Sequence, residues 1–419
     1  MEFSDSKRVL GKANKMFVVP GPFVPYNDTI TLLTYKRLRN LNLDMDVFAF
    51  KGKADQGLIK ELEKDENFKK FHIKYTSDVD HAIARNHPWR LPESLILMYK
   101  YIQDSVKEFE KGDYQYLFTS IVPGVSHLCG RAIKKKHPEV IWYASFSDPF
   151  KNSPYKKADL EGRSIFYKFI YSVGGFTLYN SNFEEAAVYH ADKLIFICKE
   201  QMEYTLSQYK NTEELKKKAI IMPLTYIPEW EMYSSLINDV ETKSNNPLQA
   251  VHLGRLYGLR KINTFLEALR QLKAEDRELS KKIVFHQYSE IQAPDVKKIK
   301  EYDLEDVFVL HKTVTYDKSV EIMKNSDILV LFDTLMSDKP VQPYLPSKIV
   351  EYLLLRKPIL GICDNNSPSY RILREHGFQE VGSDVESIKL NIKKLIGGVC
   401  VDHYSIDDLN SDMYNMLEL

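Results

Sequence analysis

Short apolar, β-branched runs alternate along this chain with longer stretches whose apolar residues recur at helical spacing. In the first half the strand-like runs fall at 16–19, 46–50, 71–75, 115–121, 139–145, 193–197 and 219–223. Between them lie amphipathic segments such as 29–40 and 93–111. The second of these places Leu95, Leu97, Met98, Ile102 and Val106 on one helical face. Parallel strands need a crossover, usually a helix, so βαβ alternation predicts a parallel sheet covered by helices. The second half starts the pattern afresh, with strand-like runs at 249–253, 282–286, 306–310, 328–332 and 358–362 and helix-like segments at 262–273, 316–325 and 347–355. A polar, turn-forming stretch at 237–248 separates the halves and reads as a linker. The expectation is an α/β protein of two doubly wound, Rossmann-like domains, with a ligand in the cleft facing both sets of strand C-terminal ends.

Length agrees with this, since 419 residues suit two domains of roughly 200 each. The expected division is an N-terminal domain over 1–240, a C-terminal domain over 241–400, and a helix over 401–419 returning to the N-terminal domain. Hydrophobic residues make up 44% and charged residues 28%, as in a soluble globular protein. Lys+Arg and Asp+Glu both number 58, so no global field steers the chain onto nucleic acid. The polar first fifteen residues lack the apolar core of a signal peptide, and no uncharged run approaches a membrane span. Cys129, Cys198, Cys363 and Cys400 are scattered without metal-finger spacing, which predicts neither zinc nor disulfides and suits a reducing cytoplasm.

One segment breaks the rhythm. Residues 151–179 mix basic residues with Tyr155, Phe166, Tyr167, Phe169, Tyr171, Phe176 and Tyr179. Two readings stand: a peripheral contact with an anionic lipid surface, or an aromatic interdomain insertion packed on its own protein.

Candidate chemistry concentrates in the second half. In 250–269 a buried strand ends at Gly254-Arg255, a short loop follows, and Lys261 opens an amphipathic helix. A diphosphate needs cationic donors of this kind at a strand end and a helix N-terminus. Arginine supplies a planar fork and lysine a mobile charge. A second stretch, 326–362, supplies a strand, a long loop and a helix bearing Ser347, Lys348 and Glu351.

Together these stretches resemble the donor domain of the family 4-like retaining glycosyltransferases, which have the GT-B fold. The resemblance implies that Arg255 and Lys261, with Gly254, hold the diphosphate of a nucleotide sugar, and that Glu351, the second glutamate of the family's E-x7-E motif, accepts the ribose hydroxyls. Pro343 stands where the first, sugar-touching glutamate belongs. Ser347, Lys348 and the amides of 344–347 are the candidates for the donor contacts so released, with an exposed helix lysine as the other reading of Lys348. Gly21, Tyr344 and Leu345 are candidate phosphate-loop residues. In the first half, Ser147-Asp148-Pro149-Phe150 occupies the strand end where a subset of the family carries an aspartate. Asp148 is either an acceptor-side catalytic carboxylate or the cap of the next turn.

Two DxD strings, Asp44-Met45-Asp46 and Asp78-Val79-Asp80, read as surface carboxylates at polar turns, so no metal and no cofactor are expected. His127 and His286 read as structural, and so does Cys198. The expected activity is metal-independent, retaining transfer of a hexosyl or N-acetylhexosaminyl group from a nucleoside-diphosphate sugar, a UDP-sugar being favoured, to a glycan, lipid-linked or protein-linked acceptor. The Lys-, Ile-, Asn- and Tyr-rich composition suits bacterial surface-polysaccharide or glycoconjugate assembly in the cytoplasm or at the inner membrane face. Two rivals remain: a non-catalytic glycosyltransferase-like subunit and a nucleotide-sugar 2-epimerase.

Overall fold

The computed structural model describes residues 14–26, 28–50, 54–76, 91–122, 124–155, 158, 164–166, 181–238 and 245–398. Every strand-like run in the sequence is a strand. In the first half these are β1 (Lys15–Pro22), β2 (Asp44–Phe50), β3 (Phe71–Thr76), β4 (Tyr116–Ser120), β5 (Ile141–Ser145), β6 (Lys193–Phe196) and β7 (Ala219–Ile221). They form one sheet in the order β3-β2-β1-β4-β5-β6-β7, all neighbours parallel. In the second half β8 (Leu248–Leu253), β9 (Ile283–Tyr288), β10 (Phe308–His311), β11 (Ile328–Phe332) and β12 (Ile359–Ile362) form a parallel sheet in the order β10-β9-β8-β11-β12. Each order reverses beside its first strand, at β1/β4 and β8/β11. Crevices outside the strand C-termini open at such switch points.

Local chemistry explains the helices that matter here. Helix Thr29–Leu38 starts where the Asp28 carboxylate accepts from the amides of Ile30 and Thr31, both at 2.9 Å. Helix Asn263–Glu275 buries Phe265, Leu266, Ala268, Leu269 and Leu272, the apolar stripe that the 3.6-residue period demands. Helix Val125–Lys136 approaches β5 closely at Gly130, where an added Cβ would lie 2.3 Å from the Trp142 ring.

The two sheets share a core. One apolar cluster runs from Met16, Val18 and Tyr35 through Tyr226, Ile227, Trp230 and Tyr233 to Val251, Leu331 and Ile349. The segment after β7 therefore packs on both halves, and its helix Glu231–Asn238 touches helices Ile349–Leu354 and Tyr316–Asn325.

Several expectations change. Gly21, a candidate phosphate-loop residue, lies inside β1, paired with Ala49 across an irregularity at positive φ (84°). Asp46 is no turn carboxylate either. It sits within β2 and takes hydrogen bonds from Lys15 Nζ at 2.6 Å and the Tyr114 hydroxyl at 2.5 Å, because β1 and the turn before β4 bring those donors alongside it. Asp78 and Asp80, most of 151–179, part of the 237–248 linker and the expected 401–419 helix lie outside the described residues. Among the described residues no helix is long and apolar enough to cross a membrane.

Candidate functional site

The loop 254–262 leaves β8 at the switch point and is tied down at both ends. The Gly254 amide donates to Tyr288 O at 3.1 Å, and Gln287 Nε2 donates to Gly254 O at 2.8 Å. Leu256 and Ile262 bury their side chains and pin the loop to the core. Between them Arg260 N donates to Tyr257 O at 3.0 Å, a turn that places Gly258 at φ +60°. A Cβ there would also stand 3.1 Å from the Tyr155 ring, so the loop rests on a residue of the N-terminal half. This fixed loop carries Arg255 and Lys261, both exposed. Neither head group makes a hydrogen bond or ion pair among the described residues.

Glu351 sits on helix Ile349–Leu354, preceded by a turn in which Ser347 and Lys348 are half-buried. Its Oε2 is buried without a partner. The tyrosine hydroxyl of Tyr316, also buried and unpartnered, feels the Glu351 charge, as do Lys36 and Tyr233. Lys36 comes from the N-terminal half and donates to Thr225 O at 2.9 Å and to the Tyr233 hydroxyl at 2.5 Å. Burial pulls its ammonium down to about 8, with Glu351 opposing. Orphaned buried oxygens are rare in folded proteins, so this pair marks a place for a hydroxyl-bearing ligand or water.

Asp148 follows β5 at its C-terminal end. It is exposed and forms no hydrogen bond among the described residues. Desolvation by the surrounding protein raises its carboxyl above the usual range, and Arg260 works against the rise. Across the cleft, Asp333 ends β11, where its Oδ1 accepts from Thr334 N at 2.6 Å and Gln342 Nε2 at 2.9 Å. Burial pushes this carboxyl up to about 6.

Tyr344, a candidate phosphate-loop residue, is buried. Its amide is taken by Gln342 Oε1, because the chain folds back over Asp333 there. Its hydroxyl meets Ser153 Oγ at 3.3 Å and its ring packs edge-on against Tyr155 at 4.8 Å. Tyr155 in turn pairs with Thr334 Oγ1 at 2.8 Å. Of the aromatic residues in 151–179, Tyr155 thus closes the two halves on each other. Leu345 is half-buried against the shared apolar core.

The other candidates stay structural. His127 is buried, its Nδ1 2.8 Å from Thr119 Oγ1, and burial pushes its ring down to about 3. His286 lies in β9 between Gln249 and His311. Cys198 precedes helix Lys199–Ser207, with its thiol pushed by burial up to about 12. Among the described residues no group of three or more His, Cys, Asp and Glu is placed to hold a metal ion.

No protein-family model matches this sequence, and no curated protein matches it either. Solved structures do. Sucrose-phosphate synthase from Thermosynechococcus elongatus superposes with a TM-score of 0.59 at 11% identity, over 92% of this chain and 90% of that one. A variant of TarM from S. aureus in complex with UDP, alpha-GlcNAc-glycerol and fondaparinux gives 0.54 at 11%, over 92% and 93%. A UDP-forming α,α-trehalose-phosphate synthase from Burkholderia xenovorans, in complex with glucose-6-phosphate, gives 0.56 at 10%, over 92% of each.

The fold is GT-B.

Within the GT-B cleft the structure adds residues that sequence reasoning passed over. Arg260 stands beside Lys261 and its charge reaches Asp148, Asp333, Tyr155 and His252. A second arginine in GRLYGLRK was the available signal for it. Lys36 and Tyr316 gave no signal, because only tertiary packing brings them to Glu351.

Proposed function

We propose that this protein is a glycosyltransferase that moves a hexosyl or N-acetylhexosaminyl group from a nucleoside-diphosphate sugar without a catalytic metal. One observation carries the reading: on a loop held at the β8 switch point, Arg255 and Lys261 present cationic heads with no acceptor among the described residues. A diphosphate is the ligand whose charge and fork geometry they match. Glu351, with its orphaned oxygen, accepts the ribose hydroxyls. Ser347, Lys348 and the Leu345 amide lie next in the chain for further donor contacts, with Gly21 on β1 as a further phosphate-loop candidate.

In the retaining reaction the bond from the anomeric carbon to the diphosphate breaks, and its electron pair leaves with the diphosphate. The acceptor oxygen forms its bond on the same face and gives its proton to the departing phosphate oxygen. Arg255 and Lys261 stabilise the charge growing there. Asp148 orients the acceptor hydroxyl by accepting its hydrogen bond. The UDP held by the S. aureus TarM variant and the UDP-forming activity of the Burkholderia synthase favour UDP as the carrier. The division of labour follows the expected domains, acceptor on 1–240, donor on 241–400, with 401–419 returning to the first. The acceptor is a glycan, glycolipid or protein-linked sugar of bacterial surface-glycan assembly, reached in the cytoplasm or at the membrane's inner face through 151–179.

Calorimetry with UDP, ADP and GDP is the first test, followed by nucleotide release from a donor-sugar panel with soluble and lipid-linked acceptors. Binding of one nucleotide, and sugar release only when acceptor is present, is the expected result. No affinity for any nucleoside diphosphate would sink the transferase reading and leave a non-catalytic subunit.

A further inference from the structure

Among the described residues, Arg260 is unlike the other buried or half-buried arginines. Arg37, Arg39 and Arg371 each donate to oxygens of the protein. Arg260 donates to none among the described residues with its side chain, although its Nε is buried. Its guanidinium lies 6.0 Å from the centre of the Tyr257 ring, and its backbone closes the turn that seats Gly258 on Tyr155. The head group is thus held at the seam of the two halves, with Asp148 on one wall and Asp333 on the other, and salt-bridged to neither. Guanidinium groups carry only donors, and a buried one without an acceptor is costly. Both carboxylates lie within electrostatic reach and neither closes on it, so its donors stay open to a group carrying its own oxygens.

We infer that Arg260 is a substrate-binding residue that takes a phosphate oxygen in the cleft between the Asp148 and Asp333 walls. The inference rests on the nucleotide-sugar reading of this cleft and extends it, since Arg260 joins Arg255 and Lys261 as a third cation on one loop. Asp148, an acceptor of hydrogen bonds, then faces the hydroxyl-bearing side of the same ligand. A phosphate can reach this spot from two sources, the donor's diphosphate or a phosphate on the acceptor. Both present the same chemistry to the guanidinium.

The test uses the full-length chain with Arg260→Gln and Arg260→Lys. In one arm, the affinities of UDP and uridine are compared by calorimetry. In the other, inorganic phosphate and glucose 6-phosphate are titrated into protein saturated with UDP. If the donor's diphosphate is the source, R260Q weakens UDP about tenfold or more and leaves uridine unchanged. If the source is the acceptor, UDP binding holds and the phosphate titration is lost. Either result supports the assignment. R260K restores charge but not the fork, so it recovers part of the loss, and unchanged thermal midpoints for both variants exclude misfolding. R260Q binding all four ligands like the natural protein would overturn the inference while leaving the nucleotide-sugar reading intact. If the natural protein binds no nucleotide, that reading fails. The phosphate arm, run then on the unliganded chain, still decides Arg260, which is refuted if neither phosphate compound binds or R260Q binds them equally.

Discussion

Arg39 and Arg260 put the same side chain to opposite uses. Arg39 is buried and grips Asp65 with two bonds, Nε to Oδ2 and Nη2 to Oδ1, both at 3.0 Å. The Asp65 carboxylate also accepts from the Tyr35 hydroxyl at 2.8 Å, Trp230 Nε1 at 3.2 Å and Asn67 N at 3.0 Å. Burial opposes ionisation there, yet Arg39 and Tyr35 hold the carboxyl below its ordinary range. Trp230 belongs to the segment linking the sheets, so the cluster fastens that segment to the first domain. The cationic heads of Arg260, Arg255 and Lys261 have no such partners among the described residues. Charges whose valences close within the protein hold the fold; charges left open along a cleft are held for something that arrives later.

The sharpest way to break this contrast is to cut the closed cluster. Asp65→Ala strands the Tyr35 hydroxyl and Trp230 Nε1 at once and leaves Arg39 only the exposed Glu229 carboxylate at 3.6 Å. Removing one partner of a buried pair costs about 3–5 kcal/mol. Urea unfolding followed by tryptophan fluorescence reads the loss, and nucleotide affinity of the still-folded fraction is expected to hold. A loss below about 1 kcal/mol would mean that the cluster is not a structural tie.

Next in size are Arg255→Gln and Lys261→Gln, which should do the reverse. Each removes a charge-assisted contact to a phosphate, worth about 10- to 100-fold in affinity for a nucleoside diphosphate. Stability should stay within about 0.5 kcal/mol, as for other exposed substitutions. If either variant unfolds early and binds normally, the open set is structural after all.

Much of this contrast was legible before any coordinates. Short apolar, β-branched runs mark every strand among the described residues, because a parallel sheet covered on both faces buries both sides of its strands, and the 3.6-residue period marks the helices 29–40, 93–111, 262–273, 316–325 and 347–355. The Arg255–Lys261 loop was readable as well, since a strand end, a loop and a helix start are contiguous in sequence. What was not legible depends on chain segments far apart. The meeting of Lys36 with Glu351, of Tyr155 with Thr334 and Tyr344, and of Arg260 with Asp148 needs two domains to close on each other. Asp46 was misplaced at a turn because a polar residue in a strand looks like a loop residue until Lys15 and Tyr114 are seen beside it.

Glu351 sharpens the comparison at a smaller scale. It is half-buried, between the buried closed cluster and the exposed Arg255 and Lys261, and one of its oxygens has no partner among the described residues. If that oxygen serves a ribose, Glu351→Gln weakens UDP about tenfold. The natural protein should also prefer UDP to its 2′- or 3′-deoxy analogue, and the variant should lose that preference. Calorimetry with the three nucleotides checks both. Equal loss for all of them would assign Glu351 to holding Lys36 and Tyr233 in place instead.

The smallest effect separates a buried group in the fold's interior from one in the cleft by the sign of its pH response. His127 is held neutral, its ring pushed by burial from 6.5 to about 3. Between those values the unfolded chain binds a proton that the folded one refuses, so the stability from His127 is complete above about pH 6.5 and drains away as pH falls. Asp333 behaves oppositely. Burial raises its carboxyl from 3.8 to about 6, so the folded state holds the proton longer, and its contribution is complete below pH 3.8 and lost as pH rises through 6. From pH 4 to 6 the two slopes oppose each other, each at about 1 kcal/mol per pH unit. His127→Gln should make stability rise less steeply with pH over that range, and Asp333→Asn should make it rise more steeply. Urea midpoints at pH 4.5, 5.25 and 6.0 measure the slopes, so a uniform loss of stability in either variant does not disturb the comparison. Slopes that move in the same direction would show that Asp333 is ionised throughout, and that the cleft wall facing Arg260 carries a full negative charge across this range.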